Sequence, residues 1–202
     1  MGIRKGMLLG LLTICAALAG CGTETPVAEG ETTKTEGEPV QIQMTTEQGD
    51  SYGKVCAFDE KDKVLWEYET PEYEPTELAR VGEIGWREDA YYLVQDGSVV
   101  ALDAGTGEVL WENDEFQGAG FSSTFGRDSI YLCGYYGPDF YEISYDGETL
   151  KKIQQFDEQY FWACGLEDHG EQVVVTMDGG SETGEAVQVE VDKESYEYEI
   201  LE

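Results

Sequence analysis

The stretch Ala-Leu-Asp-Ala-Gly-Thr-Gly-Glu-Val-Leu-Trp at residues 101–111 decides the fold of this 202-residue chain. It joins two apolar runs through a glycine-rich turn, which is the pattern of a β-hairpin. The segment KVCAFDEKDKVLWE at residues 54–67 repeats it, with Asp59 in the place of Asp103 and Trp66 in the place of Trp111. The two aspartates are 44 residues apart and the two tryptophans are 45 apart, so the chain contains an internal repeat.

Two weaker copies of the hairpin follow, DFYEISYDGETLKK at residues 139–152 and AVQVEVDKESYEYEI at residues 186–200. No window longer than about ten residues shows the apolar period of a helix. A repeat of 40–45 residues with about four short strands is typical of a β-propeller blade. The sequence therefore predicts an all-β, propeller-like domain of about four four-stranded blades over residues 40–202.

The positions of individual strands follow from the apolar runs. The first blade is expected to have three strands, at residues 40–46, 54–59 and 64–68. The innermost strands of the other blades are expected near residues 78–84, 119–125 and 161–166. Three arrangements stay open: a small closed ring, a partial propeller, and half of a ring completed by a second copy as a homodimer.

The second hairpin resembles the repeat of the quinoprotein-type (PQQ-like) β-propellers, roughly A-x-D-x-x-T-G-x-x-x-W. In that family the tryptophan docks against the neighbouring blade and the polar turn residues hold the hairpin. The resemblance implies these structural roles for Trp66, Trp111, Asp59, Asp103, Thr106 and Gly107. The third copy has Lys151 or Lys152 where the tryptophan is expected, and the fourth copy has Tyr198.

Residues 1–20 have the form of a secretory leader, with Arg4 and Lys5 before an apolar run that is too short to span a bilayer. The sequence Leu18-Ala19-Gly20-Cys21 that ends it resembles the lipobox of bacterial lipoproteins. The resemblance implies cleavage before Cys21 and acylation of Cys21 with palmitate or a similar chain. The protein is then anchored in the lipid bilayer, on the extracytoplasmic face of the plasma membrane or the outer membrane. The alternative is an ordinary signal peptide with a chance cysteine.

Residues 21–39 are rich in Thr, Glu, Gly and Pro and almost free of apolar residues. Such a segment cannot bury enough apolar surface to offset the entropy of ordering. We therefore expect a flexible, acidic tether between Cys21 and the repeat domain.

The chain is strongly acidic, with 43 Asp and Glu against 12 Lys and Arg and a formal net charge of -31. This charge repels nucleic acid and anionic lipid head groups, so neither is an expected partner. Zinc bound by Cys and His is not expected either, because the chain has no CxxC pair and His169 is its only histidine. Pairing of Cys133 with Cys164 in a disulfide stays open.

No catalytic residues and no cofactor are expected. The enzymes among the PQQ-like propellers use a catalytic aspartate and calcium at the ring axis, and neither can be matched to a position here. The sequence favours a non-catalytic protein that binds or scaffolds a protein or other cell-envelope partner, like the propeller lipoprotein of the barrel-assembly machinery that its repeats resemble. The alternative is a small sensor module that binds a cation or another ligand, and a quinoprotein-type enzyme comes third. The aromatic-rich stretches 131–145 and 160–162 either fill the core or form a face for a peptide or glycan.

Overall fold

The computed structural model describes residues 31–34, 37–47, 51–73, 81–158, 162–178 and 186–201. These residues form sixteen strands in four antiparallel four-stranded sheets. Sheet I contains β1 (Glu31–Lys34), β2 (Gln41–Glu47), β3 (Tyr52–Phe58) and β4 (Val64–Glu69), and sheet II contains β5 (Val81–Arg87), β6 (Ala90–Gln95), β7 (Ser98–Asp103) and β8 (Val109–Asn113). Sheet III contains β9 (Ala119–Phe125), β10 (Ser129–Tyr135), β11 (Phe140–Ser144) and β12 (Thr149–Ile153), and sheet IV contains β13 (Ala163–Asp168), β14 (Gln172–Met177), β15 (Val187–Asp192) and β16 (Tyr198–Leu201).

The burial of the strands shows which sheets lie inside the array. Every residue of β6 is buried, because sheet II has a neighbouring sheet on each face. In β3 buried and half-buried residues alternate instead, as in a sheet that is covered on one face only. The continuous apolar run of β6 and the alternation in β3 are therefore the sequence signatures of an inner and an outer sheet.

Three apolar cores join the four sheets in chain order. The first lies between sheets I and II and includes Trp66, Tyr68 and Leu93. The second joins sheets II and III, and the third joins sheets III and IV. Among the residues that the structure describes, no apolar core joins sheet IV back to sheet I. The described residues thus form a partial propeller, which confirms the predicted all-β fold, and completion of the ring by a second copy stays a prediction.

The two outward faces of this array are polar. On sheet I, Gln43, Cys56 and Glu67 form one cross-strand row, and Lys54 Nζ lies 3.0 Å from a Glu67 carboxylate oxygen. On sheet IV, Glu190 of β15 lies directly opposite Glu199 of β16. Polar outer faces are what the terminal units of a stacked repeat array require, because only the inner units are covered on both sides.

Strand β1 corrects the predicted tether. It lies within residues 21–39, yet it pairs antiparallel with β4, with Thr33 opposite Glu67. Without β1 the outer edge of β4 would be unpaired, and the two threonines of β1 favour a strand. Sheet I therefore has four strands instead of the three expected, and its fourth strand lies at the outer edge beside β4.

The remaining strand predictions differ from the structure by a few residues. The strand expected at 119–125 is β9, whereas those expected near 78–84 and 161–166 begin later, as β5 and β13. The leader and residues 21–30 lie outside the described residues. Within the part of the chain that is described, no helix is long and apolar enough to cross a membrane.

Candidate functional site

The contact between sheets I and II is built around Trp66 of β4. Its indole Nε1 donates a hydrogen bond of 2.9 Å to the Ala104 carbonyl, in the β7–β8 turn of sheet II. Ala57 lies opposite Trp66 in the sheet and leaves space for the ring, which is 1% exposed. We call this arrangement, a side chain of one sheet held against the outer turn of the next, an inter-sheet lock.

Sheets II and III are joined by a second lock of the same form. Trp111 of β8 lies opposite Ala101, and its Nε1 donates to the Tyr145 carbonyl at 2.9 Å. Gly147 in the receiving turn has a φ of +84°, and a Cβ there would lie 2.6 Å from the Trp111 ring. The turn therefore needs glycine both for its backbone conformation and for the approach of the ring. Trp111 is half-buried, unlike Trp66.

The polar residues of the repeat hold the turns that receive these rings. Asp103 Oδ1 accepts hydrogen bonds of 2.8 Å from both the backbone N–H and the hydroxyl of Thr106. Gly107, at a φ of 71°, donates its N–H to the Asp103 carbonyl at 2.7 Å. In the first copy Asp59 Oδ1 accepts from the backbone N–H groups of Lys61 and Lys63.

The fourth hairpin contains the same turn, which the sequence comparison missed. Asp192 Oδ1 accepts from the N–H and the hydroxyl of Ser195, both at 2.8 Å. Tyr196 follows with a φ of 58°, in the place that Gly107 has in the second hairpin. The signal available in the sequence is the spacing Asp-x-x-Ser, which matches Asp103-x-x-Thr106.

The lock between sheets III and IV uses charge in place of an indole. Lys151 of β12 lies opposite Glu142, the positions that Trp111 and Ala101 have in sheet II. The Lys151 ammonium lies 5.0 Å from the centre of the Tyr196 ring, in the receiving turn of sheet IV. Burial and the Glu142 carboxylate raise the pKa of Tyr196 to about 12. A cation over an aromatic ring thus replaces the buried tryptophan.

The fourth copy has no lock at Tyr198, where the repeat had suggested one. The Tyr198 ring packs on Phe156 with the ring centres 4.8 Å apart, and its hydroxyl donates to the Phe156 carbonyl. Tyr198 therefore contacts the connection that leads into sheet IV from sheet III. Glu199 is the residue that lies on the outward face.

A second cation reinforces the contact between sheets II and III. The Arg87 guanidinium lies 4.7 Å from the centre of the Tyr145 ring and donates to the carbonyls of Gly126 and Arg127. Sequence reasoning missed this residue, because Arg87 ends a strand and is separated from its contacts by about 40 residues.

The inner edges of sheets I, II and III enclose a groove with a volume of about 570 Å³. Strands β2, β5 and β9 form its walls, and on their inner side none of them is hydrogen-bonded to another strand within the described residues. The lining is small or apolar apart from one carboxylate: Met44, Thr46, Val81, Gly82, Glu83, Gly120, Phe121, Ser122 and Ser123. The open array thus leaves strand backbone and a few apolar side chains accessible on its inner side.

The aromatic-rich stretches divide between the core and the surface. Tyr131, Phe140 and Tyr141 are buried. Tyr135, Tyr136 and Trp162 lie outside the three cores. Tyr160 and Phe161 belong to the residues that are not described.

The cysteines and the histidine form no reactive cluster in the described part of the chain. Cys133 is buried and Cys164 is exposed, and both are free thiols. Burial raises the pKa of Cys133 to about 12, so its thiol stays protonated. His169 is half-exposed and lies 3.2 Å from a Glu167 carboxylate oxygen. No group of three or more His, Cys, Asp or Glu among the described residues could hold a metal ion, and the lipidation residue Cys21 is not described.

Comparison with known proteins gives a family. The sequence model of the family described as outer membrane protein assembly factor BamB matches residues 18–141, which include sheets I and II and the first half of sheet III. No curated protein sequence matches the chain.

Two solved structures are similar in fold. BamB from Moraxella catarrhalis is 18% identical, with a TM-score of 0.48, over 73% of this chain and 44% of that one. The WD40 domain of SCAP from fission yeast is 9% identical, with a TM-score of 0.45, over 86% of this chain and 44% of that one. The chain thus spans less than half the length of either structure.

The first lock should dominate the stability of the array. Replacement Trp66→Ala should lower the free energy of unfolding by about 3–5 kcal/mol, because it removes a fully buried ring and leaves a cavity. Trp111→Ala should cost less, because that ring is already half-buried. Urea unfolding of the purified protein measures both values, and an equal or smaller loss for Trp66→Ala would contradict the account of the lock.

The charged lock should be coupled across its two strands. Lys151→Trp alone should destabilise, because Glu142 occupies the space that Ala101 leaves for Trp111 in sheet II. The double variant, with Glu142→Ala added, should be more stable by at least about 1 kcal/mol than the sum of the two single changes in the free energy of unfolding predicts. Additive effects in this double-mutant cycle would show that the two positions do not form one lock.

Proposed function

We propose a function for this chain from the family to which it belongs. That family is the PQQ-like repeat family of the outer membrane protein assembly factor BamB. The protein is a membrane-anchored, extracytoplasmic component of the bacterial cell envelope. It has no catalytic activity and binds a protein partner, which it holds near the membrane. The family description, an assembly factor, supports this class of function.

The groove along β2, β5 and β9 is the main structural support for the proposed binding of a partner. An unpaired strand edge offers backbone N–H and C=O groups to an incoming segment of another chain. Gly120 and Ser122 are small enough for another backbone to approach, while Met44 and Phe121, whose ring packs on Gly82, offer apolar contacts. A complete propeller would surround this space with further blades, whereas the partial propeller leaves it open to a partner.

The anchor is Cys21, acylated at the end of the leader. Because β1 begins at Glu31, only residues 22–30 separate the lipid from the folded sheet. Nine residues span at most about 30 Å when fully extended. The maximum distance between sheet I and the bilayer is thus shorter than a tether of residues 21–39 would give. The groove that β2 lines stays near the bilayer for the same reason.

Photo-cross-linking in cells tests the anchor and the groove together. A photoreactive amino acid at Ser122 should give a covalent adduct with a discrete envelope protein, and the adduct should be in the membrane fraction. Adding Cys21→Ser should release the protein from the membrane fraction, because a chain without the lipid keeps no anchor. Cys164→Ser is the matched control, since Cys164 is exposed but carries no lipid in this account, and it should leave the protein in the membrane fraction.

The same photoreactive residue at Gln188, on the outward face of sheet IV, controls for proximity alone. Equal adducts from Ser122 and Gln188 would contradict binding in the groove. Retention of the Cys21→Ser protein in the membrane fraction would contradict the lipid anchor.

A further inference from the structure

Three aromatic side chains form a cluster at one rim of the array, on residues other than those that line the groove. Tyr135 ends β10, Tyr136 follows it, and Trp162 precedes β13. The ring centre of Tyr135 lies 4.5 Å from that of Tyr136 and 4.2 Å from that of Trp162. The Tyr136 side chain is 68% exposed, the highest value among the large apolar and aromatic residues that are described. The rings therefore contact one another and also face solvent.

The backbone holds Tyr136 in a conformation that is unfavourable for its residue type. Its φ is 57°, in the left-handed region where a bulky aromatic residue is uncommon. The loop is fixed by a hydrogen bond of 3.1 Å from the Gly134 N–H to the Pro138 carbonyl. It also packs tightly, because a Cβ on Gly137 would lie 2.6 Å from the Gly118 Cα. Tyr196 has a similar φ, but its ring is used in the charged lock, whereas Tyr136 has no such internal role.

The surroundings of the cluster are acidic. Asp178 lies next to Trp162, since its backbone N–H donates to the Trp162 carbonyl at 3.0 Å. The described loops at this end of the sheets also carry Glu72, Asp96, Asp114, Glu115, Asp157 and Glu158, and Lys152 of β12 reaches them through its ammonium, which donates to the Glu115 carbonyl. Partial burial, the Tyr136 hydroxyl and the Asp178 carboxylate raise the pKa of Tyr135, which agrees with this placement.

Elsewhere the same protein places its cations over tyrosine rings. Arg87 lies over Tyr145, Lys151 over Tyr196 and Lys193 over Tyr131, at 4.7, 5.0 and 5.1 Å from the ring centres. No described Lys or Arg lies over Tyr135 or Tyr136. The exposed Tyr136 ring and the Tyr135 ring beside it therefore lie in acidic surroundings, with no described cation over either of them.

We propose that Tyr135, Tyr136 and Trp162, with the Asp178 carboxylate beside them, form a docking platform for a basic segment of a protein partner. An arginine or lysine side chain of that segment lies over the exposed rings, as the cations inside this protein do, and the acidic rim attracts the rest of the segment. The platform rests on the proposed function in one respect, namely that the protein binds another protein. It lies on different residues from the groove and the anchor.

The platform can be tested with a defined peptide and the purified protein. The probe is a fluorescein-labelled decapeptide of alternating Arg and Gly, and its binding is followed by anisotropy at 150 mM salt, where the Debye length is about 8 Å. Replacement Tyr136→Ala leaves the net charge of the protein unchanged, so a purely electrostatic association would not respond to it. We expect it to weaken binding by about fivefold or more through the lost contact between cation and ring.

Two further variants separate the platform from a loss of structure. Tyr136→Gly should weaken binding equally while raising Tm by about 2–4 °C, because glycine adopts the left-handed conformation without strain. Trp86→Ala removes another exposed aromatic side chain, which lies in β5 far from the platform, and should leave binding unchanged.

Three results would overturn the platform. The first is no binding of the arginine peptide by the unmodified protein, and the second is equal affinity for the unmodified protein and Tyr136→Ala. The third is binding of chitotetraose, but not of the peptide, in a manner that depends on Tyr136, which would identify a sugar-binding surface instead. Failure of the proposed function would look different, since it is measured at Cys21 and Ser122 in cells.

Discussion

The indole hydrogen bonds of Trp66 and Trp111 to the next sheet are the interactions that join sheets I, II and III. A buried indole N–H without an acceptor would cost more free energy than the bond itself contributes, so the ring must reach a carbonyl. Among the described residues, the acceptor lies in the outer turn of the neighbouring sheet, at Ala104 for Trp66 and at Tyr145 for Trp111. The Asp103–Glu108 turn, held by the bonds between Asp103 and Thr106, presents the Ala104 carbonyl to the Trp66 ring.

The chemistry of the lock changes along the chain. Alanine opposite tryptophan in sheets I and II becomes Glu142 opposite Lys151 in sheet III, and Glu190 opposite Glu199 in sheet IV. Carboxylates directly across from each other cannot receive an apolar neighbour without a large desolvation cost. The outward face of sheet IV is therefore polar at the position where sheets I and II present a tryptophan.

Sequence patterns predicted what local chemistry determines and failed where distant contacts decide. The hairpin at residues 101–111 was recognisable because its turn residues and its tryptophan lie within one short segment. Strand β1 was not recognisable, since the short polar sequence ETTK is typical of a tether and only its pairing with β4 identifies it as a strand. Tyr131 and Tyr135 lie in one strand, yet only Tyr131 belongs to a core. That difference depends on which part of β10 is covered by sheet IV. The cation over Tyr196 was hidden for a similar reason, because a lysine in place of a tryptophan appears as a lost contact until its partner is known.

Light scattering combined with small-angle X-ray scattering, on the full chain carrying Cys21→Ser, tests the partial propeller most directly. We expect the mass of one chain and a profile of four sheets in an open arc, because both outward faces are polar and neither offers a tryptophan to a neighbour. A dimer with the profile of a closed eight-sheet ring would contradict this expectation. Such a result would mean that the outward faces of sheets I and IV are interfaces and that the groove is part of a closed central channel.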